Sequence, residues 1–279
     1  MDYIIDKNKI TILHPCDFDI RHICECGQMF RFEDKTSHFA VMSSKFEAIV
    51  YKNDKKSAII ESENVKYYQK YFDLLNDYGI IKQELIKTPI LKQAVDFGYG
   101  IRIAKQDLLE TIISFMISAN NNIGRIKRTL NLICENFGER CDGYFAFPTL
   151  EALKQISETD FVKFGCGYRA KYLKETISHL NVDFLDRLLQ MSDSDAKAEL
   201  LKLKGVGDKV ADCILLFGLG RKKVFPVDVW MSRVCDEYFG LEGLSRPQKA
   251  QRMCQRFDNL AGYAQQYLFY YKRSKGELK

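Results

Sequence analysis

The chain has 279 residues, and its 46% hydrophobic content is enough for a sizeable core in one large domain or in two to three smaller ones. Charged residues make up 28% of the chain, which excludes a compositionally disordered protein, and the net charge of +5 is compatible with a nucleic-acid partner without demonstrating one. No apolar run reaches about 18 residues and no signal-peptide pattern is visible, so we expect an intracellular protein without membrane association.

The first part of the chain carries β-strand patterns. Residues 10–62 contain short β-favouring runs, and the segments SSK and KNDKK between them are typical of hairpin turns. Helical spacing then extends from ENVKYYQ to the GYG at residues 98–100. This part of the chain is therefore predicted to be a β-rich module that also contains helices.

From Gln106 onward the pattern is helical almost throughout. QDLLETIISFMIS predicts an apolar helix stopped by three asparagines, and IGRIKRTLNLICENFG predicts an amphipathic helix closed by Gly138. Further helices are predicted in TLEALKQIS, YRAKYLKETISHL and SDSDAKAELLKL. We therefore predict an α+β fold, with an N-terminal antiparallel β-sheet domain over residues 1–105 and a helical domain over residues 106–279, whose last helix returns toward the N-terminal module.

One segment, LKLKGVGDKVADC, combines a sharp turn with a helix start. Gly205 and Gly207 flank Val206 and allow the chain to reverse, and the next helix is predicted to begin near Asp208. The exposed N–H groups of a helix start suit a phosphate, so this helix–turn–helix is a candidate clamp for a DNA backbone. A helix that ends at a glycine and is followed by a second helix explains the same sequence pattern equally well.

We predict no metal site built from side chains. Cys24 and Cys26 are too close together for a usual zinc knuckle. After Cys213 only Cys235 and Cys254 remain, so the C-terminal region lacks the four-cysteine cluster of an iron–sulfur site, and the nine cysteines are expected to be reduced thiols. The hairpin turn offers unpaired backbone carbonyls instead, and the candidate ligands for a monovalent or calcium ion are the carbonyls of Leu201, Leu203 and Val206.

Two residues near the hairpin are candidates for chemistry. Lys209 lies in the first turn of the second helix, where the helix dipole and partial burial both favour the neutral amine that attacks carbon. A solvated lysine that contacts phosphate explains the position as well. Asp228 stands directly before the helical run VWMSRVCDEYFG and suits an N-cap, but its carboxylate would also stabilise positive charge at a sugar carbon.

These segments together carry a family resemblance. LKGVGDKVADCILLF and VFPVDV resemble the hairpin, the Gly/Pro-rich loop and the catalytic Asp of the helix-hairpin-helix DNA glycosylase superfamily. GQMFRF, ISANNNIGRI, GCGYRAKYL and AQQYLF are similar to segments of the animal and bacterial 8-oxoguanine DNA glycosylases, and the resemblance spans residues 10–272. It implies a bifunctional DNA glycosylase and AP lyase that excises 8-oxoguanine opposite cytosine and requires no cofactor.

The resemblance implies catalytic and base-binding roles. Lys209 would attack the anomeric carbon and form a Schiff base, from which β-elimination nicks the strand, while Asp228 would stabilise the oxocarbenium-like state. The base would be flipped out of the stack. Its pocket would consist of the Gly27 carbonyl, which accepts from the protonated N7, of Gln265 at the Watson–Crick edge, and of a sandwich formed by Cys213 and Phe269.

The resemblance also implies contacts with the rest of the duplex. Asn120 would fill the hole left by the flipped base, Tyr168 would be a wedge, and Arg125 and Arg169 would bond the estranged cytosine. A helix cap and a turn explain the asparagines equally well. The residues implied in backbone contact are Lys204, Gly205, Val206 and Gly207.

One departure from the family and three alternatives remain at this point. Trp230 stands where the animal-type enzymes have a histidine that contacts phosphate, which puts that contact and the rate in doubt. An alkylated-base glycosylase would not need Lys209, an endonuclease III-type enzyme would carry the missing cysteine cluster, and a non-catalytic hairpin module would need no base pocket. The expected partner is double-stranded DNA containing 8-oxoguanine, bound by a monomer in the cytoplasmic nucleoid or in a nucleus.

Overall fold

The computed structural model describes residues 1–52 and 57–276, which form an antiparallel β-sheet beside a larger body of helices, as the α+β prediction requires. The six strands are arranged in the order β1-β2-β6-β5-β4-β3. Their bounds are β1 Tyr3–Asp6, β2 Lys9–Leu13, β3 Phe32–Asp34, β4 His38–Ser43, β5 Phe46–Tyr51 and β6 Ser57–Glu61.

Helices α1 to α4 lie within the first hundred residues, and the remaining helices follow from residue 108. The bounds of the first eight are α1 Ile20–Glu25, α2 Val65–Tyr71, α3 Tyr78–Leu85, α4 Pro89–Phe97, α5 Leu108–Ser118, α6 Ile123–Phe137, α7 Leu150–Gln155 and α8 Glu158–Lys163. The others are α9 Arg169–His179, α10 Val182–Gln190, α11 Asp193–Lys202, α12 Asp208–Cys213, α13 Val229–Phe239, α14 Arg246–Phe257 and α15 Ala261–Ser274. Within the described ranges, no helix is both long and apolar enough to cross a bilayer.

The predicted turn SSK is confirmed. Ser43 pairs with Phe46 across β4 and β5, so Ser44 and Lys45 form a two-residue hairpin turn, with φ at Ser44 of 52°. The second predicted turn, KNDKK, lies outside the described residues except for its first lysine.

The strand prediction over residues 10–62 is wrong for Ile20–Glu25, which forms α1. The Asp19 carboxylate caps this helix by accepting hydrogen bonds from the N–H groups of Arg21 and His22. Because α1 is less than two turns long, it shows no clear 3.6-residue period, and the capping aspartate was the only local signal. A further strand, Tyr3–Asp6, begins before the predicted range and pairs with β2 at the edge of the sheet.

The predicted helices from Gln106 onward are present. α5 ends at Ser118, with Ala119 as its C-cap before the asparagines, and α6 ends at Phe137 with Gly138 as its C-cap. Gly138 has a φ of −83°, so no left-handed turn requires the glycine. A Cβ atom there would collide with the carbonyl oxygen of Ala146, and the close approach of these two backbones is what requires glycine.

The described residues form two hydrophobic cores. The smaller core lies between the sheet and α1 and α2, whereas α3 and α4 contribute to the larger helical core. The last helix, α15, packs on α4, where the hydroxyl of Tyr271 donates to Gln93 at 2.8 Å. α15 thereby packs against a helix of the first hundred residues, and its Gln266 side chain also donates to the carbonyl of Cys26, directly after α1.

A buried ion pair ties the sheet to α5. Arg31 Nη1 lies 3.3 Å from Glu110 Oε2, and the same oxygen accepts a 2.7 Å hydrogen bond from the N–H of Ser44. Burial raises the pKa of Glu110 to about 7, and the nearby Arg31 cation offsets part of that effect. The pair fixes the direction of α5 relative to the sheet.

Candidate active site

The turn of the hairpin between α11 and α12 packs against α9. Gly205 has a φ of +84°, and a Cβ atom there would lie 2.8 Å from Cβ of Tyr172, so conformation and space both require glycine. The carbonyl of Lys204 accepts a hydrogen bond from Thr176 Oγ1 at 3.0 Å. A Cβ atom at Gly207 would meet no heavy atom within 4 Å, so the surface beside the start of α12 is open.

Ion pairs of Lys197 join α11 directly to α12. Lys197 Nζ lies 2.7 Å from Asp212 Oδ1 and 3.6 Å from Asp208 Oδ1. Burial raises the pKa of Asp212 to about 6, and the Lys197 cation offsets part of this effect. The prediction that the candidate cation-binding carbonyls are unpaired is wrong for Leu203, whose carbonyl accepts a hydrogen bond from the N–H of Val206 at 3.1 Å.

Lys209 lies in the first turn of α12 and is partly buried. Its Nζ is 5.3 Å from the ring centroid of Phe115 on α5, a distance within the cation–π range. Cys213 is one turn further along α12 and is buried, which raises the pKa of its thiol to about 11. The amine therefore lies between an aromatic face and a neutral thiol.

Asp228 is the N-cap of α13. Its Oδ1 accepts the N–H of Met231 at 2.8 Å. The loop that leads to it is anchored to the end of α10, because Arg221 Nη2 donates to the carbonyls of Leu189 and Met191 at 3.1 Å each. The cap fixes the carboxylate at the start of the helix.

One cavity collects these groups. All six residues predicted for catalysis and base binding line it, and the structure adds four more side chains that the sequence reasoning missed. The predicted residues are Gly27, Lys209, Cys213, Asp228, Gln265 and Phe269, and the additional ones are Phe115, Phe217, Pro226 and Gln266. The rings of Phe115 and Phe217 stack at 5.3 Å, but in the sequence both belong to apolar helix faces that carry no distinguishing signal.

The cavity is small and contains an unpaired polar atom. Its volume is about 40 Å³, a few times the roughly 10–15 Å³ of such space that one water needs. Gln265 Oε1 is buried and has no hydrogen-bond partner among the described residues. Gly27 adopts a φ of +83°, and a Cβ atom there would lie 2.9 Å from Phe269 Cε1. Phe269 thus closes the cavity against Gly27.

The residues predicted to contact the opposite strand lie around the end of α5. Asn120 is exposed with a φ of +49°, and Tyr168 is 59% exposed at the start of α9. Arg169 is buried, and its Nε and Nη2 donate to the carbonyls of Ala119 and Asn120 at 2.7 Å each. Arg125 is exposed in the first turn of α6, and within the part of the chain that the structure describes it makes no hydrogen bond with the other three.

Arg169 therefore has a structural function in the free protein that the sequence did not indicate. Its guanidinium binds the carbonyl of Ala119, the C-cap of α5, and that of Asn120, the next residue. The Arg169 guanidinium also lies 4.5 Å from the centroid of the Tyr168 ring. The Arg233 guanidinium lies in the same way 4.6 Å from the centroid of the Trp230 ring.

Comparisons with known proteins agree over almost the whole chain. Residues 11–112 match the N-terminal domain of 8-oxoguanine DNA glycosylase, and residues 113–258 match the HhH-GPD superfamily of base excision DNA repair proteins. An N-glycosylase/DNA lyase of Saccharomyces cerevisiae is 33% identical over 273 residues, covering 84% of this chain and 71% of that protein. A probable N-glycosylase/DNA lyase of Methanothermobacter thermautotrophicus is 29% identical, covering 77% of this chain and 76% of that protein.

A solved structure extends this similarity to the fold. The crystal structure of Clostridium acetobutylicum 8-oxoguanine glycosylase/lyase, bound to double-stranded DNA with cytosine opposite 8-oxoguanine, superimposes with a TM-score of 0.91. The two sequences are 36% identical, and the match covers 99% of this chain and 100% of that one.

Proposed function

Because the chain belongs to the 8-oxoguanine DNA glycosylases of the HhH-GPD superfamily, we propose that it excises 8-oxoguanine opposite cytosine and then cleaves the strand as an AP lyase. The observation that carries the proposal is the shared cavity, which brings the Lys209 amine and the Asp228 carboxylate to the same space as Gly27, Gln265 and Phe269. A module that only held the DNA backbone would need no such cavity.

The chemical step uses Lys209 as the nucleophile. Its neutral amine attacks C1′ of an extruded nucleotide, so that a C1′–N bond forms while the bond to the base breaks and the base leaves with the electron pair and takes up a proton. Asp228 stabilises the positive charge that develops on the sugar. The nitrogen then loses a proton and the C1′–O4′ bond breaks, with O4′ taking up a proton, so that the sugar ring opens to a Schiff base. Loss of a C2′ proton from this Schiff base expels the 3′ phosphate by β-elimination and nicks the strand.

Base recognition uses the unpaired groups of the cavity. The Gly27 carbonyl accepts from the protonated N7 that distinguishes 8-oxoguanine from guanine, and Gln265 Oε1 accepts from the Watson–Crick edge. The neutral Cys213 thiol and the Phe269 ring enclose the base. Since a purine does not fit into about 40 Å³, Phe269 has to move away from Gly27 when the base enters.

The remaining contacts position the duplex. The open backbone at Gly207 binds a DNA phosphate, and Lys204 and Val206 lie next to it in the hairpin. The hairpin carbonyls are the proposed ligands of a monovalent or calcium ion. Asn120 and Tyr168 occupy the space left by the flipped base. Arg125 and Arg169 bond the estranged cytosine, the latter in addition to its carbonyl contacts. We place the two domains at residues 1–105 and 106–279.

A lesion assay tests the proposed function. Purified protein is incubated with four duplexes that carry 8-oxoguanine opposite cytosine, adenine, guanine or thymine. We expect base release and strand nicking, fastest opposite cytosine, and no cleavage of an undamaged duplex of the same sequence. Release of 3-methyladenine without release of 8-oxoguanine would instead assign the chain to the alkylated-base glycosylases.

Gly27→Ala is expected to lower kcat/KM for 8-oxoguanine about 100-fold, because the new Cβ would collide with Phe269 and displace the carbonyl that reads N7. A quench-flow excision assay measures the effect. Gly143→Ala is the matched control, since Gly143 has the same φ of +83° but no heavy atom within 4 Å of its Cβ position. Equal activity losses in both variants would trace the effect to backbone strain alone.

A further inference from the structure

The backbone carbonyls next to Gly27 are already occupied. The carbonyl of Cys26 accepts a hydrogen bond from Gln266 Nε2 at 2.6 Å, and that of Gln28 accepts from Gln106 Nε2 at 2.7 Å. In the described part of the chain, no hydrogen bond reaches the carbonyl of Gly27 itself. The turn therefore leaves one acceptor free, on the residue that lines the cavity.

Arg273, near the end of α15, is a further residue that holds this turn. Its Nη2 donates to the carbonyl of Glu25. Its Nη1 lies 2.9 Å from the position that a Cβ of Gly27 would occupy, and its guanidinium carbon is 5.5 Å from the ring centroid of Phe269. The guanidinium thus touches both the residue that reads the base and the ring that closes the cavity.

The guanidinium is not fully satisfied by these contacts. Nη1 is buried and has no hydrogen-bond partner among residues 1–52 and 57–276. A buried donor without a partner is unfavourable, and such groups are rare in native structures unless their position serves another purpose. Within the described residues no carboxylate lies within salt-bridge distance of Arg273, and its guanidinium contacts the Glu25 carbonyl, Gly27 and the Phe269 ring.

We propose that Arg273 is a positioning residue for base recognition, which sets the Gly27 carbonyl and the Phe269 ring at the places where the flipped base needs them. This inference rests on the proposed function. It gives α15 a positioning residue in addition to the base contacts of Gln265 and Phe269. Gln266 and Arg273 fix the carbonyls of two successive residues, and the third carbonyl is left for the substrate. Arg273 acts through these groups and does not itself touch the reacting atoms.

Two substrates separate this role from a general structural one. A duplex with 8-oxoguanine opposite cytosine needs the base pocket, whereas a duplex with a preformed abasic site needs Lys209 but contains no base. We expect Arg273→Met to lower kcat/KM for 8-oxoguanine excision about 10- to 100-fold, as for the loss of a hydrogen bond from a charged donor. Nicking of the abasic duplex should change by less than about twofold.

Two further variants complete the experiment. Arg273→Lys keeps the charge and one donor and should recover part of the excision rate; it also serves if the methionine variant does not fold. Arg256→Met is the matched control, because Arg256 lies 5.0 Å from the Phe239 ring on the exposed side of α14 and should leave both rates unchanged.

The outcomes distinguish the two proposals. Equal excision by wild type and Arg273→Met, or a parallel loss on both substrates, overturns the role of Arg273 while leaving the proposed function intact. A wild-type protein that nicks abasic DNA but releases no 8-oxoguanine contradicts the proposed function itself, and the role of Arg273 fails with it.

Discussion

Lys209→Gln is expected to abolish the covalent complex that borohydride traps between the protein and DNA containing 8-oxoguanine. Glutamine has nearly the length of lysine but its amide nitrogen is not nucleophilic, so no Schiff base forms. We expect excision to fall by at least about 10³-fold, since removal of a nucleophile typically has effects of this size. A gel-shift of the trapped complex and single-turnover kinetics measure both quantities.

The structure provides a suitable comparison for this variant. Lys87 is exposed in the turn that follows α3 and pairs with Glu84 at 2.6 Å, so Lys87→Gln removes the same charge from the surface without touching the cavity. This control should trap the complex as efficiently as the wild type. A trapped adduct in Lys209→Gln at wild-type yield would show that another amine is the nucleophile.

Asp228→Asn is expected to lower the excision rate about 10²- to 10³-fold with little change in stability. The side chain both caps α13 and faces the cavity, and asparagine caps a helix about as well as aspartate does. The substitution therefore removes the negative charge and retains the hydrogen bond to Met231. Single-turnover excision and thermal unfolding of the same preparations measure the two effects.

Asp228→Ala separates the two roles further. It removes the cap as well as the charge, so it should unfold at a lower temperature, by about 1 kcal/mol of lost stability, with a rate loss similar to that of the asparagine variant. If Asp228→Asn retains the wild-type rate while Asp228→Ala does not, the residue is a cap alone.

The sequence allowed much of this architecture to be predicted. Hydrophobic periodicity predicted the helices, and the two glycines around Val206 predicted the hairpin, because these patterns depend on residues close together in the chain. The proximity of Lys209, Asp228 and Gly27 was expected from the family resemblance, and the structure places all three at one cavity. Their roles stay predictions until the variants are measured.

Other features had no local signal. The short helix α1 is fixed by its cap and by packing under the sheet rather than by periodicity. The contact of Gln266 with Cys26 joins residues 240 positions apart, and the binding of Arg169 to the end of α5 joins residues about 50 apart. Such pairings depend on the folded topology, and side-chain identity alone does not indicate them.

The closed state of the cavity has a consequence for folding and for damage search. A permanent void large enough for an aromatic ring, about 150 Å³, would destabilise the protein by about 3–4 kcal/mol at roughly 24 cal/mol per Å³. Because Phe269 packs against Gly27, the cavity of the unliganded protein is much smaller than such a void and does not cause this loss of stability. We expect a base that enters to displace Phe269, so that only a base whose hydrogen bonds offset the free energy of opening stays long enough to react.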